Sequence, residues 1–457
     1  MFHDSLRPHA SMHILLLSSD AINPQMAGPG IRYWEFARHL SKAHTVTVLT
    51  PNASTLSHPR FQLVQHTRQS LTAALSGADV IVTQGVKYPL APIYQANLPL
   101  VVDLYDPLPI ELLEHHAHLP LTDAQLSQSY CVERTKQLLR RGDFFLYSHQ
   151  PQRQYWLGML TAVGRVQHKP YRESPDFSHM LGCVPYGISD DAPVQTRHAI
   201  RGADTPFAGA ISDTDTVLLW GGGLWNWFDP CSVIRAVNAI SRVRQDIKLV
   251  FLATARSNQQ TMQLDIAYAT DQAVALSREL GLYNRQVFFH DSWVPYAERH
   301  NFLLDATVGV SAHFKTLETE FSFRTRILDY LWAGLPILCT TGDYLSELVD
   351  RHQLGITVEP EQVDQLKNAM LRLADDRAFV QQCQHNIRQI REPMTWNRIM
   401  EPLERFCEHP YRTSHISPLN KRLHMLSFMG ISGKLLLKYR GHRKIFTKIR
   451  QKFGIFR

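Results

Sequence analysis

The stretch SAHFKTLETEFSFRTRILDYLWAGLPILCTTGDYLSELVD, from Ser311 to Asp350, decides the fold of the second half of the chain. It predicts a strand end, a polar loop, a helix that stops at Gly334, a buried strand over Pro336–Cys339 and a second helix. The first of these helices has one apolar face, formed by Ile327, Leu328, Leu331 and Trp332. This alternation of helix and buried strand is typical of a parallel α/β sheet.

The first turn of that helix is polar, which the core does not explain. Ser322 is predicted as the N-cap, because its hydroxyl can accept a hydrogen bond from an unpaired amide of the first turn. A helix N-terminus with added guanidinium charge is suited to a phosphate, so we predict a phosphate-binding turn at Ser322, Phe323, Arg324 and Arg326. The two arginines do not share a helix face, and we favour Arg324, which is nearer the helix start. The alternative is a solvated helix face.

The composition predicts a globular protein of two or more domains. The chain has 457 residues, of which 44% are hydrophobic and 19% are charged, and this length suffices for two cores. Its six cysteines are scattered without a C-x-x-C pair, so we expect buried free thiols in a reducing cytosol. No apolar run approaches the ~20 residues that a membrane-spanning helix needs, and no targeting segment is apparent.

The net charge of +7 comes from the C-terminal tail. Residues 411–457 hold 12 Lys and Arg and no Asp or Glu, so the rest of the chain has 36 basic against 41 acidic side chains. Apolar tail residues recur at helical spacing, namely Ile445, Phe446, Ile449, Phe453 and Phe456. A basic amphipathic helix of this kind suits an anionic membrane surface. Nucleic acid and a flexible solvated tail are the alternatives; we favour the membrane and expect no nucleic acid.

The strand and helix pattern runs through the chain twice. Short apolar strands are predicted at residues 13–18, 46–49, 79–83, 100–104 and 143–148, with helices between them. A linker-like segment over residues 189–215 is rich in Asp, Ala, Pro, Gly and Thr, and the pattern restarts at Thr216. We therefore predict two α/β domains, over 12–195 and 205–392, each with a doubly wound parallel sheet, and a cleft between them.

Four segments follow one another along the chain: AGPGIRYWEFARHL from Ala27, VPYGI from Val184, VFFHDSWVPYAERHNFL from Val287 and MTWNRIMEPLERF from Met394. In this order they resemble the GT-B glycosyltransferases, in detail the retaining family 4 branch. The resemblance covers roughly residues 12–406. It implies two Rossmann-like domains facing across a cleft, with the acceptor bound by the first and a nucleotide-sugar donor by the second. It also implies that a helix within 393–410 crosses back to the first domain.

The donor motif of that family, E-x7-E followed by G-x-P, falls on the opening stretch. Aligning Gly334 and Pro336 with the G-x-P places Asp329 at the second acid, which implies that Asp329 accepts the two ribose hydroxyls of the donor. The first acid would fall on Phe321, which cannot serve. Glu318 and Glu320 lie close by and are the predicted replacements.

A glycine turn follows the first strand of the second domain. Gly221, Gly222 and Gly223 let backbone amides approach a ligand, and the resemblance implies that the donor diphosphate lies beside them. Where the family carries Arg and Lys just after this turn, this chain has Trp225 and Trp227, with Asn226 between them. Arg324 and Arg326 could supply the missing positive charge. An ordinary tight turn is the alternative.

Two glycines of the first domain give a weaker signal. Gly28 and Gly30 sit where its first strand opens into the expected cleft, so that their amides could face the donor phosphate or the acceptor. An ordinary loop is an equal alternative.

Asp103 and His313 are the remaining candidates for catalysis. Asp103, like Asp106, follows a first-domain strand and could position an acceptor hydroxyl or act as a base; an Asx turn before Pro107 is the alternative. His313 ends the strand before the donor motif, and with Glu318 and Glu320 completes the candidate set. We expect no metal site at the histidines near residue 116, because no third ligand is apparent.

Taken together, the sequence predicts a cytoplasmic glycosyltransferase held at the inner face of the plasma membrane. It would move a sugar from a nucleotide-sugar to an envelope glycan or a lipid-linked acceptor, without cofactor or metal. A same-face, retaining transfer needs no protein nucleophile, because the leaving diphosphate can help to deprotonate the acceptor. Two alternatives stay open: another enzyme on the same fold, such as a nucleotide-sugar epimerase or a phosphorylase, and a non-catalytic scaffold subunit.

Overall fold

A computed structural model describes residues 11–84, 88–117, 119–252 and 266–413 of the chain. The predicted basic amphipathic helix of the tail lies outside the described residues. The described chain forms two compact units, one within residues 11–185 and 400–413 and the other within 186–399. Residues 186–195, expected in the first domain, therefore group with the second unit. There Ile188 bridges to Thr395, and Thr196 donates its amide to Asn301.

The first unit is built on a seven-stranded parallel sheet. Its strands are β1 (His13–Leu17), β2 (Thr45–Thr50), β3 (Phe61–Gln65), β4 (Val80–Gln84), β5 (Leu100–Asp103), β6 (Phe144–Tyr147) and β7 (Leu181–Cys183). They lie in the order β3-β2-β1-β4-β5-β6-β7. The helices before the unit boundary are α1 (Gly28–Leu40), α2 (Arg68–Gly77), α3 (Leu90–Ala96), α4 (Leu108–His115), α5 (Leu121–Arg141), α6 (Gln150–Ala162) and α7 (His168–Glu173).

The second unit repeats the design with six parallel strands. They are β8 (Thr216–Trp220), β9 (Ile247–Phe251), β10 (Val287–Phe289), β11 (Val308–Ser311), β12 (Ile337–Thr340) and β13 (Gly355–Val358), in the order β10-β9-β8-β11-β12-β13. Its helices are α8 (Pro230–Ser241), α9 (Ile266–Glu279), α10 (Arg299–Asp305), α11 (Leu317–Phe321), α12 (Thr325–Ala333), α13 (Tyr344–Arg351), α14 (Val363–Asp375), α15 (Arg377–Ile390) and α16 (Trp396–Ile399). Short 3-10 helices span Tyr296–Glu298 and Glu392–Met394.

After the second unit the chain returns to the first through α17 (Glu401–Glu408). Phe406 of this helix stacks on Phe144 of β6 at 5.0 Å between ring centroids. Pro402 packs so close to Gly182 that a Cβ there would lie 3.1 Å from it. The apolar face of α17 thus covers the β6–β7 edge of the first sheet.

Both sheets confirm the predicted fold class of two Rossmann-like, doubly wound α/β domains. The central strands are buried on both faces, as continuous apolar runs require; Ile14 to Leu17 of β1 and Val217 to Trp220 of β8 are fully buried. In the first sheet the strand order reverses between β1 and β4, and in the second between β8 and β11. Ligands of open parallel sheets bind beyond the carboxyl ends of the strands at such a reversal. In the described residues, no helix is both long and apolar enough to cross a membrane.

Candidate functional site

The candidate site of the second unit lies at the carboxyl ends of β8 and β11, where the strand order reverses. β8 leads into the glycine turn, and Asp229 caps α8 by accepting from the Ser232 amide at 2.9 Å. The Asp229 amide in turn donates to the carbonyl of Ala312, just beyond β11, at 3.0 Å. The two strand ends are therefore joined directly, and the glycine turn and His313 belong to one edge of the sheet.

Tyr330 of α12 fixes the glycine turn to this edge. Its hydroxyl accepts from the Gly221 amide at 2.9 Å and lies within 2.9 Å of the carbonyls of Leu219 and Val310. The ring fits because residue 309 is glycine, where a Cβ would stand 2.2 Å from it. Burial raises the pKa of Tyr330 to about 12, so the hydroxyl keeps its proton. Gly222, with φ of +126°, makes the bend that only glycine adopts readily.

Arg326 lies directly beneath the turn. It is buried, and its Nη2 donates to the Gly223 carbonyl at 2.7 Å. The guanidinium rests on the rings of Phe228 and Trp220, 4.0 and 4.6 Å from their centroids. Its Nη1 is buried, and no atom of the described residues is its hydrogen-bond partner. Burial lowers the pKa of Arg326 to about 10, so the group is still cationic at neutral pH.

The prediction that Ser322 caps the donor helix is wrong. The helix begins at Thr325, and Ser322 instead ends the short helix α11, which occupies the predicted polar loop. The Ser322 hydroxyl turns back and donates to the Thr319 carbonyl at 3.1 Å. A capping box between Thr316 and Thr319 starts α11. This local pairing was not recognised in the sequence, where the segment was predicted to be a polar loop.

Arg324 and Glu318 form a buried ion pair instead of facing solvent. Nη1 and Nη2 of Arg324 meet the two Glu318 oxygens at 3.0 and 2.6 Å, and its Nε lies 3.7 Å from Asp343. His313 approaches the same Asp343 carboxylate at 3.1 Å. Burial would raise the pKa of Asp343, but the hydrogen bond and charge of His313, the charge of Arg324 and the Ser346 amide bring it below its usual value.

The predicted roles of His313, Glu318 and Arg324 conflict with this arrangement, because all three side chains are buried and paired inside the protein. Glu318 pairs with Arg324, and both Arg324 and His313 approach Asp343. Glu320, the other predicted replacement for the first acid, is exposed. The structure thus brings Arg326, rather than Arg324, against the glycine turn.

Aromatic side chains line the approach to this turn. Trp225 is half-buried and stacks on Trp227 with 5.7 Å between centroids, and a Cβ on Gly223 would lie 3.7 Å from Trp293. Asn226 is half-buried beside them. Phe323, also half-buried, stacks on Tyr344 at 6.0 Å. Aromatic rings therefore lie beside the glycine turn, at positions where the sequence has no Arg or Lys.

Asp329 lies near the middle of α12 with 37% of its side chain exposed. Its Oδ1 accepts from Nε of Arg299 at 3.1 Å. Arg299 stacks on Tyr296 and Trp332, 3.8 and 4.3 Å from the ring centroids. The acid is thus accessible to a ligand and held from one side.

In the first unit, Asp103 is engaged in a buried ion pair with Arg32 of α1. Nε and Nη2 of Arg32 meet its two oxygens at 2.8 and 3.0 Å, and both side chains are fully buried. The remaining donors of Arg32 go to the carbonyls of Pro185 at 2.7 Å and Val184 at 2.8 Å. Burial would lower the pKa of Arg32, but the charge of Asp103 and its hydrogen bond raise it. This placement leaves no room for Asp103 as a solvent-facing base.

The other predicted residues of the first unit surround the reversal between β1 and β4. Gly30 packs under the loop after β1, where a Cβ would stand 2.5 Å from the Ala21 carbonyl, whereas Gly28 begins α1 with open space around it. At the end of β4, the buried Gln84 donates to Asp106 at 2.9 Å and accepts from Ser19 at 2.8 Å. Hydrogen bonds between side chains therefore join the loops that follow β1, β4 and β5.

Within the described residues, no group of three His, Cys, Asp or Glu is placed to hold a metal ion. His115 is buried, and His118 lies outside the described residues. The six cysteines are free thiols, four of them buried: Cys131, Cys339, Cys383 and Cys407.

Three residues of the site were missed by sequence reasoning. In the sequence, Tyr330 belongs to the apolar face of a helix. Asp343 is at a helix cap, and Arg299 is in the polar first turn of a helix. Only Asp343 carried a signal that could have been used, because it precedes Ser346 at capping-box spacing.

Comparison with known proteins agrees with this architecture. Residues 215–376 match the family model described as Glycosyl transferases group 1. No curated protein matches the chain in sequence.

Solved structures share the fold across almost their whole length. Sucrose-phosphate synthase from Thermosynechococcus elongatus is 14% identical, with a TM-score of 0.59, and the match covers 86% of this chain and 98% of that one. WaaG, a glycosyltransferase involved in lipopolysaccharide biosynthesis, is 14% identical with a TM-score of 0.58, covering 87% and 100%. HepE of Anabaena, solved in complex with UDP-glucose, is 13% identical with a TM-score of 0.59, covering 86% and 99%.

Proposed function

Because residues 215–376 form a glycosyl transferases group 1 domain on a GT-B fold, we propose that the protein transfers a sugar from a nucleotide-sugar donor to a hydroxyl of a glycan or lipid-linked acceptor. In this proposal the transfer is retaining and independent of metal. The second unit binds the donor, and the first unit binds the acceptor.

The observation that carries the proposal is Arg326 beneath the glycine turn. A buried guanidinium with a donor nitrogen left unpartnered is costly unless a ligand completes it. It lies where the strand order reverses. The amides of Thr325 and Arg326 open α12 and have no preceding helical turn to donate to. A diphosphate placed between the glycine turn and α12 would satisfy both, which is the geometry that an anion requires.

Asp329 extends the same site along α12. It lies on the next turn after Arg326 and is accessible, so a nucleoside whose diphosphate meets Arg326 can present its ribose to this carboxylate. The aromatic rim of Trp225 and Trp293 supplies flat surfaces beside the glycine turn. Solved relatives in complex with UDP or UDP-glucose make UDP-linked sugars the first donors to test.

The chemistry then depends on stabilising the leaving group. The bond between the anomeric carbon and the diphosphate breaks, the acceptor oxygen bonds to the same face of that carbon, and the acceptor proton passes to a leaving phosphate oxygen. Arg326 and the α12 amides stabilise the charge that develops on this oxygen. The same-face step needs no protein nucleophile, and Glu318 and Asp103 are both engaged in ion pairs, with Arg324 and Arg32.

Donor binding by an Arg326→Met variant tests this assignment. We expect titration calorimetry with UDP, GDP and dTDP to find one that binds the wild type, and the variant to bind it about 10- to 100-fold more weakly, as the loss of a charged hydrogen bond predicts. Arg388→Met, which removes an exposed arginine of α15, is the matched control and should bind like the wild type.

Equal affinity of Arg326→Met and wild type would refute the site. If no nucleotide binds the wild type, the scaffold alternative is favoured. Conversion of the nucleotide-sugar into an epimer without any acceptor would favour the epimerase alternative.

We also propose that the protein acts at the cytoplasmic face of a membrane on an envelope glycan, through its basic tail. The support is the sequence alone, with 12 Lys and Arg and no acids in residues 411–457. Deletion of these residues should abolish flotation with anionic liposomes and leave donor binding unchanged. Undiminished flotation would contradict the proposal.

A further inference from the structure

Arg299 is held in one orientation by aromatic rings. The guanidinium carbon lies 3.8 Å from the centroid of the Tyr296 ring and 4.3 Å from that of Trp332, and Nη1 donates to the Tyr296 carbonyl at 2.8 Å. Only 17% of the side chain is exposed. Two aromatic contacts and a backbone hydrogen bond restrain the planar fork of the guanidinium, and the compact ammonium of a lysine could not reproduce this set of contacts.

Trp332, one of these two rings, is itself fixed. Its Nε1 donates to the Asp191 carbonyl at 2.7 Å, and its own backbone belongs to α12. The Trp332 ring that supports Arg299 is therefore held both by its helix and by its indole nitrogen. A surface ion pair between two exposed side chains has no such support.

The fixed fork points at Asp329. Nε meets Oδ1 at 3.1 Å while 37% of the Asp329 side chain remains exposed. An aspartate on a helix can otherwise rotate its carboxylate among several directions. Holding one oxygen sets the plane of the carboxylate, and thereby the direction in which it accepts hydrogen bonds from a ligand.

We propose that Arg299 is a positioning residue that orients Asp329 toward the vicinal hydroxyls of a ribose, and so makes the donor site select ribonucleotides over 2′-deoxyribonucleotides. The inference rests on the proposed function, because it takes a nucleoside diphosphate as the ligand of this site. A carboxylate set in one plane accepts from both hydroxyls of a cis-diol, and removal of one hydroxyl leaves an acceptor without its donor.

The test compares UDP with 2′-deoxy-UDP, and GDP with 2′-deoxy-GDP, by titration calorimetry on the full-length protein. We expect the wild type to prefer the ribonucleotide about 10-fold, the Arg299→Gln variant to lower this preference to about 2-fold, and Asp329→Asn to do the same. The double variant should show no further loss, because both changes remove one interaction. In transfer assays the donor KM should rise, with kcat changed less than about 3-fold.

Two further variants separate positioning from a merely structural role. Arg299→Lys keeps the charge but not the flat fork, and should also discriminate less than the wild type. Arg388→Gln, the exposed control, should keep the wild-type ratio. A structural role predicts instead that Arg299→Gln weakens ribo- and deoxyribonucleotide equally, and that result would overturn the inference.

The outcome also distinguishes this inference from the proposed function. If a nucleoside diphosphate binds and transfer proceeds but the ribose preference is absent or survives in both Arg299 variants, the proposed function stands and the inference fails. If no nucleoside diphosphate binds the wild type, both fail.

Discussion

Each unit places a buried arginine at the carboxyl end of its parallel sheet, yet the two arginines are used differently. Arg32 donates its side-chain hydrogen bonds within the first unit, to Asp103 and to the carbonyls of Val184 and Pro185. Among the residues that the structure describes, Arg326 donates only to the Gly223 carbonyl, and its Nη1 has no partner there. Arg32 belongs to an internal ion pair, whereas Arg326 is a buried cation bonded to a backbone carbonyl, with a nitrogen that a ligand can engage.

The difference teaches how to separate a structural arginine from a binding arginine on the same fold. Burial alone does not distinguish them, because both are buried and both rest on aromatic rings. What differs is whether the hydrogen-bonding capacity of the guanidinium is satisfied by the protein. Stability and ligand affinity should therefore respond oppositely to removal of the two side chains.

The largest effect is expected from Arg32→Met. The substitution leaves the Asp103 carboxylate buried without its cation, which costs about 3–5 kcal/mol. Urea unfolding of the full-length protein should show the transition of the first unit at a lower midpoint. Arg398→Met, which breaks an exposed pair with Glu392, is the control, with an expected change below about 1 kcal/mol. A loss of the same small size for Arg32→Met would remove the distinction.

A smaller effect concerns the acid-base network behind the donor helix. Because the folded pKa of Asp343 is lowered, its contribution to stability is present above the unfolded value, near 3.8, and is lost as pH falls through the folded one. The free energy of unfolding should therefore fall less steeply between pH 5 and pH 3 in Asp343→Asn than in the wild type, by at most about 1.4 kcal/mol per pH unit. Identical slopes would show that the carboxylate is not held ionised by His313 and Arg324.

The fold class could be predicted from the sequence because buried parallel strands appear in it as apolar runs. The edge strands β3 and β13 were not predicted, because they are only partly buried and their mixed composition gives no apolar run. Strand β7 has three residues, too few for any period.

The candidate site was only partly predictable, because its charges are decided by tertiary pairing. The glycine turn, Asp329, Arg324 and Arg326 could be located by motif and register. Arg324 pairs with Glu318, six residues earlier, because the short helix α11 places this acid in the interior. The same holds for Asp103, whose partner Arg32 is 71 residues away in the chain. Pairing over such separations leaves no local pattern.

The smallest change in stability is expected where the change in binding is largest. Arg326→Met exchanges an incompletely paired buried cation for an apolar side chain that can pack on Phe228 and Trp220, at the loss of one hydrogen bond to Gly223. Replacing buried charge by apolar groups is often neutral or stabilising, so thermal unfolding of the nucleotide-free variant should agree with the wild type within about 1 kcal/mol. The stabilisation that a saturating nucleotide gives the wild type should be largely lost in the variant, since ligand-linked stabilisation follows affinity. A destabilisation of 3 kcal/mol or more without nucleotide would place Arg326 in the same structural class as Arg32, and the unpartnered nitrogen would then carry no information about a ligand.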